Sequence, residues 1–291
     1  MKIHHFFDQE TFTLTYLVID PGTKDTVIID PVLDFDPASG QITDSSISQV
    51  IEYVAKDELN VRAVLETHAH ADHLSSSQIL KQLFPQAILG IGERIKVVQE
   101  VFKERFNLRH LKTDGSQFDY LFKDFEEVSF GSLKMKAIPT PGHTPACMSY
   151  LFDDAIFTGD VLFMPDYGTG RCDFAKGDAA TLYHSVTKNL YTLPESTRVF
   201  VGHDYLPNGR ELAFQTTIGE SKKNNIQLKE ATLEKDFIAF REKRDSGLKA
   251  PRLLLPSIQV NIDAGKLPLK ESNKTSFLKI PLTIKLKNGH L

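Results

Sequence analysis

The chain has 291 residues, of which 41% are hydrophobic and 25% charged, so it can bury one large core or two modest ones. A formal net charge of -4 gives no overall basic field, which argues against a nucleic-acid-binding protein. There is no continuous apolar segment at the amino terminus, as a secretory signal has, and no apolar run near the roughly 20 residues that span a bilayer. Two cysteines, Cys147 and Cys172, cannot form a disulfide framework and fit a reducing compartment, so we expect a cytoplasmic protein without a membrane partner.

Alternating and helical patterns divide the first part of the chain into short elements. In chain order, these are strands over 12–20 and 26–30, a helix capped by Ser46 over 46–56, a strand over 62–67, and helices over 74–83 and 93–106. The DPGTKD turn joins the first two strands into a hairpin.

The second part of the chain begins with a series of strands and ends with helical patterns. In chain order, these are strands over 125–130, 133–138, 147–152 and 155–158, a helix over 178–190, a strand over 198–203, and helices over 209–228 and 233–244. Beyond residue 250 the chain is punctuated by proline and lacks helical periodicity. Strands first in hairpins and then interleaved with helices predict an α/β (α+β) domain in which two packed sheets have helices outside. We expect one domain, with a core over about 10–210 and an extension over 211–291.

Residues 68–73, with the sequence HAHADH, place three imidazoles and a carboxylate soon after a predicted strand. His68 and His70 are two residues apart, so in an extended segment their side chains lie on the same side. A sharp turn can bring Asp72 and His73 back toward the same cavity. Because imidazole and carboxylate ligands suit zinc, iron or manganese better than calcium or magnesium, the segment predicts a site for one or two such ions.

Three further candidate ligands stand at the ends of other predicted strands. His143 lies in PTPGHT, Asp160 in FTGD and His203 in VGHDY, where Gly202 allows a close approach of the backbone. If these strands lie side by side, their ends converge with residues 68–73 on one metal centre. The sequence therefore predicts a metalloenzyme.

The motifs THAHADH, PGHT, TGD and GHD, in this order, resemble those of the metallo-β-lactamase superfamily over about residues 10–210. The resemblance implies a four-layer αββα sandwich with the metal site at one edge, between the sheets. It also implies one site near His68, His70 and His143, another near Asp72, His73 and His203, and Asp160 as the bridging carboxylate.

Five longer stretches are similar to the persulfide dioxygenases: PTPGHTPACMSYLF, FTGDVLF, GTGRCDF, TLYHSVTKNLYTLP and VGHDY. The long tail and the stretch FMPDYGTGRCDF more closely resemble the bacterial β-lactamase-like hydrolase subgroup. In that family one Fe(II) per chain is held by the residues matching His68, His143 and Asp160. Two imidazoles and a carboxylate form a facial triad with open positions for substrate and O₂. The other catalytic residues implied, which orient ligands or water, are His70, Asp72, His73 and His203.

The same resemblance implies that glutathione persulfide, or a similar low-molecular-weight persulfide, is oxidised by O₂ and water to thiol and sulfite. Glutathione has two carboxylates, and the planar guanidinium of Arg171 is the candidate to bind one of them. Tyr205 is a candidate to direct its hydroxyl at the substrate. A structural salt bridge for Arg171 and a packed core position for Tyr205 are the alternatives, and Cys172 is either oxidisable or a small buried hydrophobe.

The main alternative is a thioester hydrolase of the glyoxalase II kind, acting on a glutathione thioester with zinc or iron, as one or two ions. It shares the metal loop, Asp160 and His203, but its carboxyl-terminal basic glutathione-binding motif is not matched, and GTGRCDF and TLYHSV favour the dioxygenase. A β-lactamase is disfavoured because the stretch around Asp160 lacks a zinc-binding cysteine. A non-catalytic partner protein is disfavoured because every ligand position is intact. Base rates for soluble proteins lead us to expect a homodimer.

Overall fold

The structure, a computed structural model, describes residues 1–284. In chain order its strands are β1 (Lys2–Asp8), β2 (Thr13–Ile19), β3 (Asp25–Ile29), β4 (Val32–Asp36), β5 (Gln41–Thr43), β6 (Asn60–Leu65), β7 (Leu74–Ser75), β8 (Ile88–Gly92), β9 (Tyr120–Phe122), β10 (Glu127–Phe130), β11 (Leu133–Pro139), β12 (Met148–Phe152), β13 (Ala155–Phe157), β14 (Arg198–Phe200) and β15 (Gln215–Thr217). Its α-helices are α1 (Ser45–Lys56), α2 (Ser77–Leu83), α3 (Ile95–Phe106), α4 (Ala179–His184), α5 (Ile218–Asn224), α6 (Glu234–Asp245) and α7 (Leu254–Asn261). A π-helical segment, Ser185–Leu190, continues α4.

Two six-stranded sheets pack against each other. The first has the order β1-β2-β3-β6-β8-β9 and the second β10-β11-β12-β13-β14-β15, while β5-β4-β7 form a small third sheet. Strands β3, β6, β8 and β9 are parallel neighbours, as are β13 and β14, and the other pairs in the two large sheets are antiparallel. Parallel neighbours end at the same edge of a sheet, so the segments that follow β3 and β6, and those that follow β13 and β14, lie together.

The core follows from the alternation of side chains along the strands. In β2, Tyr16 and Val18 belong to the cluster between the sheets, whereas Leu17 and Ile19 pack in a second cluster with α1, α2, α3 and α7. Helices α4, α5 and α6 contribute Leu182, Ile218 and Phe237 to the first cluster. The predicted four-layer αββα arrangement is therefore confirmed.

The helix prediction over 209–228 is largely wrong. Within this range only Ile218–Asn224 is α-helical, and Gln215–Thr217 instead pairs with β14. The preceding segment is held by Arg210, whose guanidinium bonds Asp204 and Asp166.

Helix boundaries elsewhere also differ from the predictions. Ser46 is not the N-cap of α1 but lies inside it, with its amide and hydroxyl donating to Asp34 at 2.8 and 2.7 Å. The helix predicted from residue 74 starts at Ser77, because Leu74–Ser75 pairs with β4.

The segment beyond residue 250, which shows no helical periodicity, contains α7. The helix buries consecutive residues from Ser257 to Asn261, and a helix buried on most sides lacks the polar face that produces the period. Residues 285–291 of the predicted extension lie outside the described residues. In residues 1–284 no helix combines the length and the apolar content needed to cross a membrane.

Candidate metal centre

The structure brings the predicted ligands to one edge of the sandwich. The HAHADH loop follows β6, and His143, Asp160 and His203 follow β11, β13 and β14. One ligand atom each from His68, His143 and Asp160 lie within 4.8 Å of one another, and so do atoms from His70, Asp72 and His73. All seven predicted metal-centre residues thus belong to a single cluster.

Close backbone contacts at two glycines allow this convergence. Gly159 has a φ of +50°, and a Cβ there would lie 2.4 Å from Thr67 Oγ1. A Cβ at Gly202 would lie 2.8 Å from the carbonyl carbon of Gly159. Larger residues would therefore separate Asp160 and His203 from the HAHADH loop.

Hydrogen bonds orient His68 and His143 in the same way. Thr67 Oγ1 donates to Asp30 at 2.8 Å, so it accepts from His68 Nδ1 at 3.0 Å, and His143 Nδ1 donates to the carbonyl of Arg171 at 2.7 Å. Each ring thereby keeps its proton on Nδ1 and presents the Nε2 lone pair. Burial lowers the pKa of His68 well below its ordinary value, which favours the neutral imidazole that binds metals.

His70 is oriented the opposite way. Its Nε2 donates to Asp30 at 3.0 Å and lies 3.1 Å from the Glu66 carboxylate, which also accepts from Ser75 and Ser77. Because Asp30 and Glu66 occupy Nε2, Nδ1 is the atom of His70 that is left for a metal ion.

Asp72, Asp160 and His203 form the other side of the cluster. His203 Nε2 lies 3.1 Å from Asp72 Oδ2 and 3.2 Å from Asp160 Oδ1, while its Nδ1 donates to the Phe12 carbonyl at 3.2 Å. Burial opposes ionisation of Asp160, yet His203 outweighs it and holds the pKa of the carboxyl below its ordinary value. Asp160 is thus a carboxylate, the form that binds metal.

The donor atoms fit a metal ion. Within residues 1–284, five buried ligand-type atoms of this cluster make no hydrogen bond: His68 Nε2, His70 Nδ1, His73 Nε2, Asp160 Oδ1 and His203 Nε2. The 3.2 Å contact between His203 Nε2 and Asp160 Oδ1 is close but is not a hydrogen bond. Unpartnered buried polar atoms are uncommon in proteins, and five in one cluster point to a bound cation. Asp160 Oδ2 lies 4.0 Å from His68 Nε2 and 3.7 Å from His143 Nε2. Ligands bonded to one ion at about 2.0–2.2 Å can be up to about 4.4 Å apart, so these atoms can share an ion.

A cavity of about 310 Å³ opens onto the centre. Asp72, His143 and Asp160 lie in its wall with Phe163, Tyr167, Arg171 and Tyr205, and the extension contributes Arg244, Leu248, Pro251 and Arg252. The cavity wall therefore combines metal-centre residues with arginines.

The two predicted substrate-binding residues line the cavity, and each has protein partners. Arg171 Nε and Nη2 both donate to Asp173 at 2.6 Å, and its Nη1 donates to the Lys249 carbonyl at 2.8 Å. Tyr205 stacks on His203 with ring centroids 5.3 Å apart. Cys172 is buried and unpaired, and burial raises the pKa of its thiol to about 12, as expected for a small buried hydrophobe.

Several residues around the centre were not identified from the sequence. Asp30 and Glu66 contact His70 directly, and Asn261 of α7 donates to the carbonyls of His70 and His73. Asp30 ends the strand pattern TVIID just as Asp160 ends its own, so this signal could have been used. Asn261 carries no local signal.

Residues 9–203 match the model of the metallo-beta-lactamase superfamily, and the chain belongs to this superfamily. Over 283 residues it is 48% identical to glyoxylase B2 of Dictyostelium discoideum, with 97% of each chain covered. Over 209 residues it is 32% identical to the persulfide dioxygenase ETHE1 of Homo sapiens, covering 70% of this chain and 68% of the relative.

The crystal structure of ETHE1 from Myxococcus xanthus has a similar fold. The TM-score is 0.73 at 32% sequence identity, with 91% of this chain and 100% of that chain covered. The predicted resemblance to the superfamily and to the persulfide dioxygenases is therefore confirmed. The relatives include both a glyoxylase and dioxygenases, so they establish an enzyme superfamily and leave the reaction open.

Proposed function

We propose that this protein is an iron-dependent persulfide dioxygenase that oxidises glutathione persulfide, or a similar low-molecular-weight persulfide, to thiol and sulfite. The observation that carries the proposal is the triad of His68, His143 and Asp160, two imidazoles and one carboxylate beside a cavity. This is the ligand set of mononuclear iron oxygenases. The 32% identity to human persulfide dioxygenase ETHE1 supports the same reaction.

The overall reaction is RSSH + O₂ + H₂O → RSH + SO₃²⁻ + 2H⁺. The S–S bond breaks, the terminal sulfur is oxidised from a formal state of zero to +4, and O₂ accepts the four electrons. One Fe(II) held by the triad would supply the redox chemistry and open positions that side chains lack.

The surrounding residues orient the triad and the reactants. His203 lies 3.2 Å from the Asp160 carboxylate, and the hydrogen bond to the Arg171 carbonyl orients the His143 ring. Asp72 lies in the cavity wall and can accept a proton from the water consumed. Tyr205 lies in the same wall, where its hydroxyl can donate to the substrate. His70 and His73 support the loop that carries His68.

The second candidate is a glyoxalase II-like thioester hydrolase with zinc or iron as one or two ions. The 48% identity to glyoxylase B2 over nearly the whole chain favours it. So does the second ligand group, His70, Asp72 and His73, which would provide a place for another ion. A metal in these sites would lower the pKa of a bound water toward about 7, as hydrolysis requires.

One paired assay separates the candidates. Iron-loaded protein is given glutathione persulfide in an oxygen electrode and, in parallel, a lactoyl-glutathione thioester in an absorbance assay. We expect O₂ uptake with sulfite formation and no thioester hydrolysis. Thioester hydrolysis without O₂ uptake would establish the hydrolase, and a zinc-loaded sample controls for redox-inactive metal.

We propose that the partners of this protein are these small molecules and that it forms a homodimer. We propose neither a nucleic-acid partner nor a membrane partner. Light scattering coupled to gel filtration would measure the mass of the assembly. The mass of a monomer would contradict the proposed homodimer and would leave the proposed reaction unaffected.

A further inference from the structure

The extension places two arginines in the wall of the active-site cavity. Arg244 lies near the end of α6 and Arg252 lies just before α7, and both line the cavity that contains His143 and Asp160. Both residues therefore lie outside 9–203, the part of the chain that matches the superfamily model.

Arg244 is held in a defined position by its neighbours on α6. Arg241 is fully buried and pairs with Asp245, and Asp245 accepts from the amide of Cys172 at 2.8 Å. Arg241 also donates to the carbonyl of Thr169 at 3.2 Å. These bonds attach α6 to residues 169–172. The carbonyl of Arg171 in the same segment orients His143, so the backbone position of Arg244 is fixed relative to the metal centre.

An aromatic wall connects Arg244 with the metal centre. Its guanidinium lies 5.7 Å from the ring centroid of Tyr167. The Tyr167 ring lies 4.8 Å from that of Tyr205, which in turn stacks on His203. A substrate lying along this wall would have its sulfur near the ligands and a polar group near Arg244.

The charges of Arg244 and Arg252 are more available than that of Arg171. Arg171 is engaged by Asp173 and the Lys249 carbonyl. Among residues 1–284, Arg244 has no acidic partner in an ion pair, and Arg252 has only Glu10 at 3.8 Å. The Arg252 and Glu10 side chains are 54% and 84% exposed, so this pair is weak and can open.

We propose that Arg244 and Arg252 bind the two carboxylates of a glutathione-linked substrate and that Glu10 binds its ammonium group. Apart from the metal-centre residues and Arg171, which Asp173 engages, the cavity wall provides two cations and one anion, Arg244, Arg252 and Glu10, which complement the two carboxylates and one ammonium of glutathione. This inference rests on the proposed function in one respect, namely that the substrate is linked to glutathione. Both the dioxygenase and the thioester hydrolase would act on such a substrate. Arg244 is the main specificity determinant, because it is the more rigidly held.

Calorimetric titration with S-methylglutathione tests the proposal without requiring turnover. The metal-loaded wild type is compared with Arg244→Gln, Arg252→Gln and Arg244→Lys, and Arg198→Gln is the control because Arg198 pairs with Asp154 away from the cavity. We expect Arg244→Gln to weaken binding about tenfold or more, the usual effect of losing a charged hydrogen bond. Arg252→Gln should weaken it less, Arg244→Lys should retain part of the affinity, and the control should bind like the wild type.

Kinetics with two substrates gives a second readout. For glutathione persulfide, Arg244→Gln should raise KM about tenfold and leave kcat nearly unchanged, whereas the persulfide of 2-mercaptoethanol, which lacks carboxylates, should show no change in KM. Unchanged affinity for S-methylglutathione in both Gln variants would overturn the inference. Arg244-dependent binding without O₂ uptake from any persulfide would support the inference and reject the dioxygenase.

Discussion

The side-chain amide of Asn261 donates to the main-chain carbonyl of His70 at 2.9 Å, joining α7 to the metal loop across 191 residues of sequence. The same amide donates to the carbonyl of His73 at 2.8 Å, and Asn261 Oδ1 accepts from the amide of Ser75 at 2.8 Å. Asn261 is buried, so water cannot replace these bonds. The extension thus bonds the metal loop and also contributes residues to the cavity wall.

Replacing Asn261 should loosen the metal loop. In Asn261→Ala, three buried backbone groups lose their partner, and unfolding should require about 1–3 kcal/mol less free energy. Urea denaturation and the metal content after dialysis against a weak chelator measure the two effects, and we expect both to fall. Asn224→Ala is the control, because Asn224 is exposed and its side-chain amide donates to the exposed Glu220 on the same helix. Wild-type metal retention in Asn261→Ala would show that the loop does not depend on α7.

The number of metal ions can be read from two histidine variants. His143→Ala removes a member of the triad and should abolish iron retention, whereas His73→Ala should leave much of it. Elemental analysis after gel filtration gives the metal-to-protein ratio, with His184→Ala as the control because His184 is an exposed residue of α4. Equal metal loss in the His143 and His73 variants would indicate a two-ion centre.

The buried pair of Arg241 and Asp245 should be required for stability. Asp245→Ala leaves the Arg241 guanidinium buried without its counter-ion and should lower the free energy of unfolding by about 3–5 kcal/mol. The double variant Arg241→Met, Asp245→Leu carries no unpaired charge and should recover part of the loss. Urea unfolding followed by circular dichroism gives both values. A single variant as stable as the wild type would contradict this account of how α6 is attached.

The two thiols should make the fold sensitive to alkali. Burial raises the pKa of Cys147 and of Cys172 from 9.0 to about 12, so the folded state keeps both protonated where the unfolded state loses the protons. This contribution to stability is fully present below about pH 9 and is lost as the pH rises from there toward about 12, by up to about 1.4 kcal/mol per pH unit for each thiol.

Urea unfolding between pH 8 and pH 10.5 checks this sign. The Cys147→Ala, Cys172→Ala double variant should lose less stability over the range than the wild type. Iodoacetamide at pH 8 should modify the native protein slowly and the urea-unfolded protein quickly. Rapid modification of native Cys172 would mean that its thiol is accessible.

The sequence contained enough to predict the sandwich and the seven residues that converge at one edge of it. The HAHADH loop is local, and the PGHT, TGD and GHD motifs each follow an apolar strand, so the convergence of strand ends could be anticipated without coordinates. Strand alternation in β2 was equally readable, because side chains that alternate between two faces leave a period of two in the sequence. Helix α7 left no such period, since it is buried on most sides.

What the tertiary structure decided was the set of partners that orient these ligands and line the cavity. Asp30, Glu66 and Asn261 reach His70 from three separate elements, and Arg244 enters the cavity because the buried Arg241 and Asp245 fix α6 against residues 169–172. Arg171 matched the family motif, yet its charge is taken up by Asp173. Local patterns encode which face of an element is buried, but a hydrogen bond between distant residues exists only when many non-local contacts have fixed both backbones, so it leaves no trace in the spacing of either residue.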